Sequence, residues 1–229
     1  MQEKTGTFET PSKIWMPIAT RFAAYTSVMF FVKASLIILL QDGDIAIFKE
    51  NGAVEWLQFG LLFGASSAFL AGSSVIPAFR ENLLLLASLS GFATVRELDT
   101  LLDALIPWIG WKIGFAIILY AVWLAFANRN KLRWQISHFL SSPAFAVLWA
   151  GFILAVPVAQ LLGHGSFLES FMADDYNRFY KRVIEESGEL AGYLLIAAGS
   201  IESILSMKDA QFCKPPPSEK IIATRISGS

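Results

Sequence analysis

Six stretches of this chain are apolar enough and long enough to cross a hydrocarbon layer: residues 22–40, 53–76, 82–106, 113–127, 143–162 and 183–205. A bilayer core of about 30 Å takes about 20 helical residues to span. The fourth stretch is the shortest, and Trp108 to Trp111 extend it into the interface. None has the period-two alternation of a membrane strand, and backbone groups left unpaired in lipid are too costly, so each stretch predicts a helix. Composition agrees, with 55% hydrophobic and 16% charged residues against roughly 25% charged in a soluble domain. The expected fold class is an all-α integral membrane protein of six transmembrane helices over residues 22–206. A cytoplasmic segment, 1–21, precedes it and a flexible cytoplasmic tail, 207–229, follows.

Charge sets the orientation. An even number of spans puts both termini on one side. With the amino terminus in the cytoplasm, eleven of the 18 Lys and Arg residues fall on that side and five on the other, while Lys33 and Arg96 lie within spans. The positive-inside bias therefore places both termini in the cytoplasm, with a bacterial inner membrane as the expected location. Trp56, Trp108 and Trp111 then mark the outer boundary and Trp15 and Trp134 the inner one, as an aromatic belt. Residues 1–13 carry both signs and make no basic region leading into a cleaved signal. The single cysteine, Cys213, excludes a disulfide framework and a Cys-rich metal centre, and the formal net charge of −1 argues against a nucleic-acid partner.

Smaller signals set local structure. Residues 166–182 interleave Phe167, Leu168, Phe171, Tyr176, Phe179 and Tyr180 with charged residues, which predicts an amphipathic interfacial helix between the fifth and sixth spans. Gly60, Gly64, Ala68 and Gly72 recur every four residues in the second span. Such a stripe admits a close helix, either within the bundle or in a homodimer. Pro157 removes one intrahelical hydrogen bond and should kink the fifth span near its outer end.

The functional signal is a set of ionisable residues in the outer third of the bundle, where an intramembrane charge costs about 2.5–3.5 kcal/mol and normally faces the interior. Arg96 lies roughly 9 Å and Lys33 about 10 Å below the outer boundary at 1.5 Å per residue. Glu97, Asp99 and Asp103 follow Arg96, Glu55 opens the second span, and Glu185, Glu186 and Glu189 open the sixth. Residues three or four apart share a helix face, so Tyr193 continues the face of Glu189, and Gln160 sits one turn before His164.

Carboxylates from three helices with one imidazole suit a divalent metal, and Glu55, Asp99, Glu185 and His164 are the candidate ligands. A metal-bound water would be a nucleophile at neutral pH. Glu97 and Glu189 would then serve as acid or base and Arg96 as the group that stabilises developing charge, with Lys33, Gln160 and Tyr193 holding substrate. The corresponding activity is hydrolysis of a lipid-like substrate in the outer leaflet. The same acids equally suit a proton- or cation-coupled transporter or channel, for which the inner half offers only Ser66, Ser200 and Ser203. Were the charges merely paired, the chain would be a membrane scaffold or assembly subunit. Calcium-loop, Walker, Gly-x-Ser-x-Gly and His-Glu-x-x-His spacings are absent from the sequence.

Overall fold

The computed structural model describes residues 11–41, 45–49, 51–173 and 176–212. Cys213 and the tail after it, the first ten residues, and Asp174 and Asp175 lie outside the described residues. The chain divides into two compact units, 1–47 and 48–229.

The first unit carries α1 (Pro11–Gln41). Its candidate span, Ile18–Ile38, has nothing buried in its apolar window, so its Phe22, Phe30 and Phe31 are open to the surroundings. A helix whose apolar window is not buried fits lipid as its solvent.

The second unit is a helical bundle built around α2 (Ala53–Val75), α3 (Arg80–Glu97) and α10 (Arg178–Phe212). α2 packs on both α3 and α10, α5 (Gly114–Ala127) packs on α3, and α7 (Pro143–Ile153) with α8 (Ala159–Leu162) packs on α10. Every described element is helical. Among the described residues, five helices are long and apolar enough to cross a membrane: α1, α2, the 3-10 turn Gly110–Ile113 joined to α5, α7 joined to α8, and α10.

The expected span 82–106 is interrupted. α3 ends at Glu97, Leu98 takes a non-helical conformation, and a short α4 (Asp99–Leu105) restarts the chain. The Asp99 carboxylate accepts from the Thr100 backbone N–H at 2.6 Å, a local bond that competes with helix continuation. α3 is 18 residues long and charged at both ends, by Arg80 and Glu81 and by Arg96 and Glu97.

Two further elements differ from expectation. The amphipathic stretch 166–182 is not one helix: α9 (Gly165–Met172) stops at Ala173, whose φ is +46°, and residues from Arg178 onward belong to the 35-residue α10. The link between the fourth and fifth apolar stretches contains α6 (Arg129–Leu140), which buries Leu132, Gln135 and Phe139. At Pro157 the helix widens into a π turn, Leu154–Val158, because proline has no N–H to offer the carbonyl four residues back.

Small residues decide where helices touch. A Cβ on Gly192 of α10 would lie 2.5 Å from the backbone nitrogen of Ala155, and one on Gly151 would lie 2.8 Å from the Gly192 carbonyl. This close seam joins α10 to α7 and the π turn, and Gly199 extends it against Leu148. The stripe on α2 divides instead: Gly72 sits against Leu83 and Ile204, whereas nothing lies within 4 Å of a Cβ built on Gly60 or Gly64. Apolar packing closes the bundle through Phe69, Ile76, Phe79, Leu83, Phe139 and Met207 at one end, and through Leu62, Ala155 and Tyr193 nearer the other.

Candidate functional site

The α2 amino terminus, the α3 carboxyl terminus and the first turns of α10 meet at one end of the second unit and leave a cavity of about 850 Å³. Its walls carry eight acids and four bases: Glu55, Glu97, Asp99, Asp103, Glu169, Glu185, Glu186 and Glu189 against Arg96, Arg178, Lys181 and Arg182. At full ionisation the cavity is net negative, so a cation is the ligand its field attracts.

α10 contributes most of the wall because of its spacing. Arg178, Lys181, Arg182, Glu185, Glu186, Glu189 and Tyr193 recur at intervals of one, three or four residues and so hold one face of a continuous helix. From sequence, one helix ends at residue 182 and another starts at 183, which splits this face and leaves its three bases on the interfacial helix. Gly163 allows Glu185 to sit close to the turn after α8, since a Cβ there would lie 2.7 Å from Glu185 Cβ.

Two hydrogen bonds tie the acids to the bundle. The Tyr193 hydroxyl, on a buried side chain, donates to Glu97 Oε1 at 2.7 Å and joins α10 to α3. Gln58 is completely buried, and its Nε2 donates at 3.1 Å both to the Glu186 carbonyl and to Glu186 Oε2, joining α2 to α10. Among the described residues, Gln58 Oε1 is buried without a hydrogen-bond partner, leaving an acceptor beside the carboxylates. Arg96 is exposed, lines the cavity and acts electrostatically on both Glu97 and Glu189.

The expected residues divide into those the cavity gathers and those it does not. Glu55, Arg96, Glu97, Asp99, Glu185 and Glu189 line it, and Tyr193, itself outside the lining, bonds to Glu97. Glu55 also accepts from the Asn51 backbone N–H. Gln160 is exposed on α8 and is not among the lining residues. His164 is likewise exposed and outside the lining, with Nδ1 2.8 Å from the Ser166 hydroxyl. Lys33 belongs to the first unit, where its ammonium lies 5.8 Å from the centre of the Phe30 ring. Among the described residues no three His, Cys, Asp or Glu side chains converge closely enough to hold a metal ion. The set Glu55, Asp99, Glu185 and His164 therefore does not fit a metal as it stands, since its one imidazole is turned to a neighbouring serine.

Gln58 is the residue that sequence reasoning passed over, and Glu186, visible among the acids that open the sixth span, was given no role there. Gln58 follows Glu55 by three positions, hence on the same face, and a lone amide in an apolar span was the available signal.

Below the cavity the polar side chains are turned to backbone. Ser66 donates to the Ala87 carbonyl at 2.9 Å, Ser200 to Ala197 at 2.7 Å and Ser203 to Gly199 at 2.6 Å. Comparisons with family models, curated proteins and solved structures return no match to this chain.

Proposed function

We propose that the chain is a six-span protein of a cytoplasmic membrane with both termini in the cytoplasm, and that its acidic cavity is the outward-facing binding site of a transporter for an organic cation. In this reading α3 is the sixth crossing helix: at about 27 Å it is slightly shorter than a bilayer core, and its charged ends lie at the two boundaries. The bias of Lys and Arg places the cavity end outside.

The observation that carries the reading is the excess of carboxylates around one cavity, with Glu97, Glu186 and Glu189 half-buried in its wall. Carboxylates and the amide oxygen of Gln58 are all acceptors, which suits an ammonium or guanidinium with several N–H donors. A bare metal ion is less well served, because the ligands do not converge. The serines beneath are bonded to backbone carbonyls. The homodimer left open as an alternative through Gly60, Gly64, Ala68 and Gly72 is compatible with this reading and forms no part of it.

One observation favours a second reading. The Tyr193–Glu97 hydrogen bond beside Arg96 is an acid, a base and a cation in one place, the equipment of a membrane-embedded hydrolase of lipid-like substrates. That enzyme would work without the metal set considered from sequence.

Proteoliposome uptake separates the two. With a panel of labelled alkylamines, polyamines and guanidines, the transporter reading expects saturable uptake of at least one compound and its loss in Glu189→Gln. Absence of uptake across the panel, or uptake unchanged by Glu189→Gln, overturns it. Release of a headgroup or acyl chain from outer-leaflet lipid, abolished by Glu97→Gln, would establish the enzyme instead.

A further inference from the structure

At the opposite end of the second unit, α6 connects two apolar helices, α5 and α7, that each carry a candidate span. Consecutive spans end on the same side of a membrane, so the 12-residue α6, about 18 Å long, lies across the end of the bundle at the level of lipid headgroups. It docks through the buried Leu132, Gln135 and Phe139.

The free faces of α6 differ from one another. On one flank Lys131 forms an ion pair with Glu81 at 3.6 Å, and Trp134 stacks on Phe79 at 5.2 Å. On the other flank Arg129, Arg133, Ile136 and Leu140 fall within about 60° of one another at 100° per residue. Arg129 and Arg133 are exposed, Ile136 is half-buried and Leu140 is half exposed. α6 contains no Asp or Glu. The end of α5 that leads into it exposes Trp123 and Phe126.

We propose that the Arg129–Arg133 flank of α6 is a binding surface for an anionic phospholipid. Two guanidiniums one turn apart present forked donors that match phosphate oxygens. The adjoining Ile136 and Leu140 give the same flank an apolar surface for the start of an acyl chain. A soluble anion would use the guanidiniums and have no use for the apolar side chains, and a zwitterionic lipid would gain no net attraction. Juxtamembrane basic groups strengthen anionic-lipid binding by a factor of about five each.

The test uses the full-length protein in detergent, with lipid retention measured by native mass spectrometry against added phosphatidylglycerol, phosphatidylcholine or inorganic phosphate. The wild type should retain phosphatidylglycerol in preference to phosphatidylcholine, and millimolar inorganic phosphate should not displace it. Arg129→Gln with Arg133→Gln should weaken retention about tenfold or more, while the charge-preserving Arg129→Lys with Arg133→Lys should keep most of it. Lys131→Gln should have little effect, because that ammonium is engaged with Glu81. Melting in phosphatidylcholine micelles should match wild type for the Arg129 and Arg133 variants, since those side chains are exposed. Equal retention of the two lipids, unchanged retention in the double Gln variant, an equal loss in Lys131→Gln, or displacement by phosphate would each overturn the proposal.

Discussion

Acids sit at both ends of the second unit, and they are treated in opposite ways. At the α6 end, Glu81 receives the Gln135 amide at 2.8 Å and the Lys131 ammonium at 3.6 Å. Gln135 is buried and saturated: its Oε1 accepts from the Asn82 backbone N–H at 2.8 Å, and its Nε2 also donates to the Ala78 carbonyl at 2.9 Å. One acid, one base and one amide fix where α3 begins and clamp α6 to it. At the cavity end, acids outnumber bases two to one, and an exposed cavity runs between them. A satisfied network rigidifies, whereas a surplus of one charge is useful only to something of the opposite charge. The first arrangement is a clamp, and the second is the one proposed to receive a cation.

Both ends depend on the seam between α10 and α7, so breaking that seam should have the largest effect and should not distinguish them. Gly192→Leu would drive a branched side chain into the Ala155 backbone, with an expected loss of about 3 kcal/mol or more. The check is the yield of monodisperse protein, expected to fall sharply.

Next in size is Gln135→Leu, which strands the Asn82 N–H, the Ala78 carbonyl and Glu81. The expected destabilisation is about 2–4 kcal/mol, seen as a lower melting temperature with ligand binding intact in the folded fraction. Tyr193→Phe removes one hydrogen bond at the other end and should cost about 1–2 kcal/mol in the same melting assay.

The smallest expected effect is a pH dependence confined to the clamp. Burial alone would raise the Glu81 carboxyl, but the Gln135 hydrogen bond and the Lys131 ammonium outweigh it and hold this group, which precedes the apolar part of α3, below its ordinary value of 4.5. A depressed carboxyl contributes stability that is present above the unfolded value and disappears as pH falls through the folded one. Melting curves of wild type and Glu81→Gln should therefore converge below about pH 4.5 and differ above it.

Much of the architecture was legible because apolar length is read directly by lipid. Stretches of 20 or so apolar residues can be little else than crossing helices, and α1, α2, α5, α7 with α8, and α10 all coincide with expected stretches. What failed to register depends on short-range competition or on tertiary contact. The break at Leu98 arises where Asp99 bonds its neighbour's backbone inside an otherwise apolar run. α6 has only three inward positions, and one of them, Gln135, is polar, so no periodic apolar stripe announces it. The continuity of α10 was hidden because its first turns are charged, and a reading by hydropathy starts the helix where charge stops. That mattered for the site: Glu55, Glu97, Glu185 and Glu189 were visible as one set of acids, but Arg178, Lys181 and Arg182 join them only on an unbroken helix. Gln160 and His164 lie outside the cavity lining for another reason. Their spacing placed them together, but spacing within one helix does not say toward which neighbour the face is turned.

The central claim, that the cavity end is a receptor and the α6 end a clamp, is tested most directly by isothermal titration of the purified protein with spermidine and agmatine. Wild type should bind at least one of them, Glu189→Gln should lose that binding by a factor of ten or more while melting no lower than wild type, and Gln135→Leu should melt lower yet bind as wild type does. If Glu189→Gln bound both compounds like wild type, or if its only defect were a lower melting temperature, the acids of the cavity would be structural and the account would be wrong.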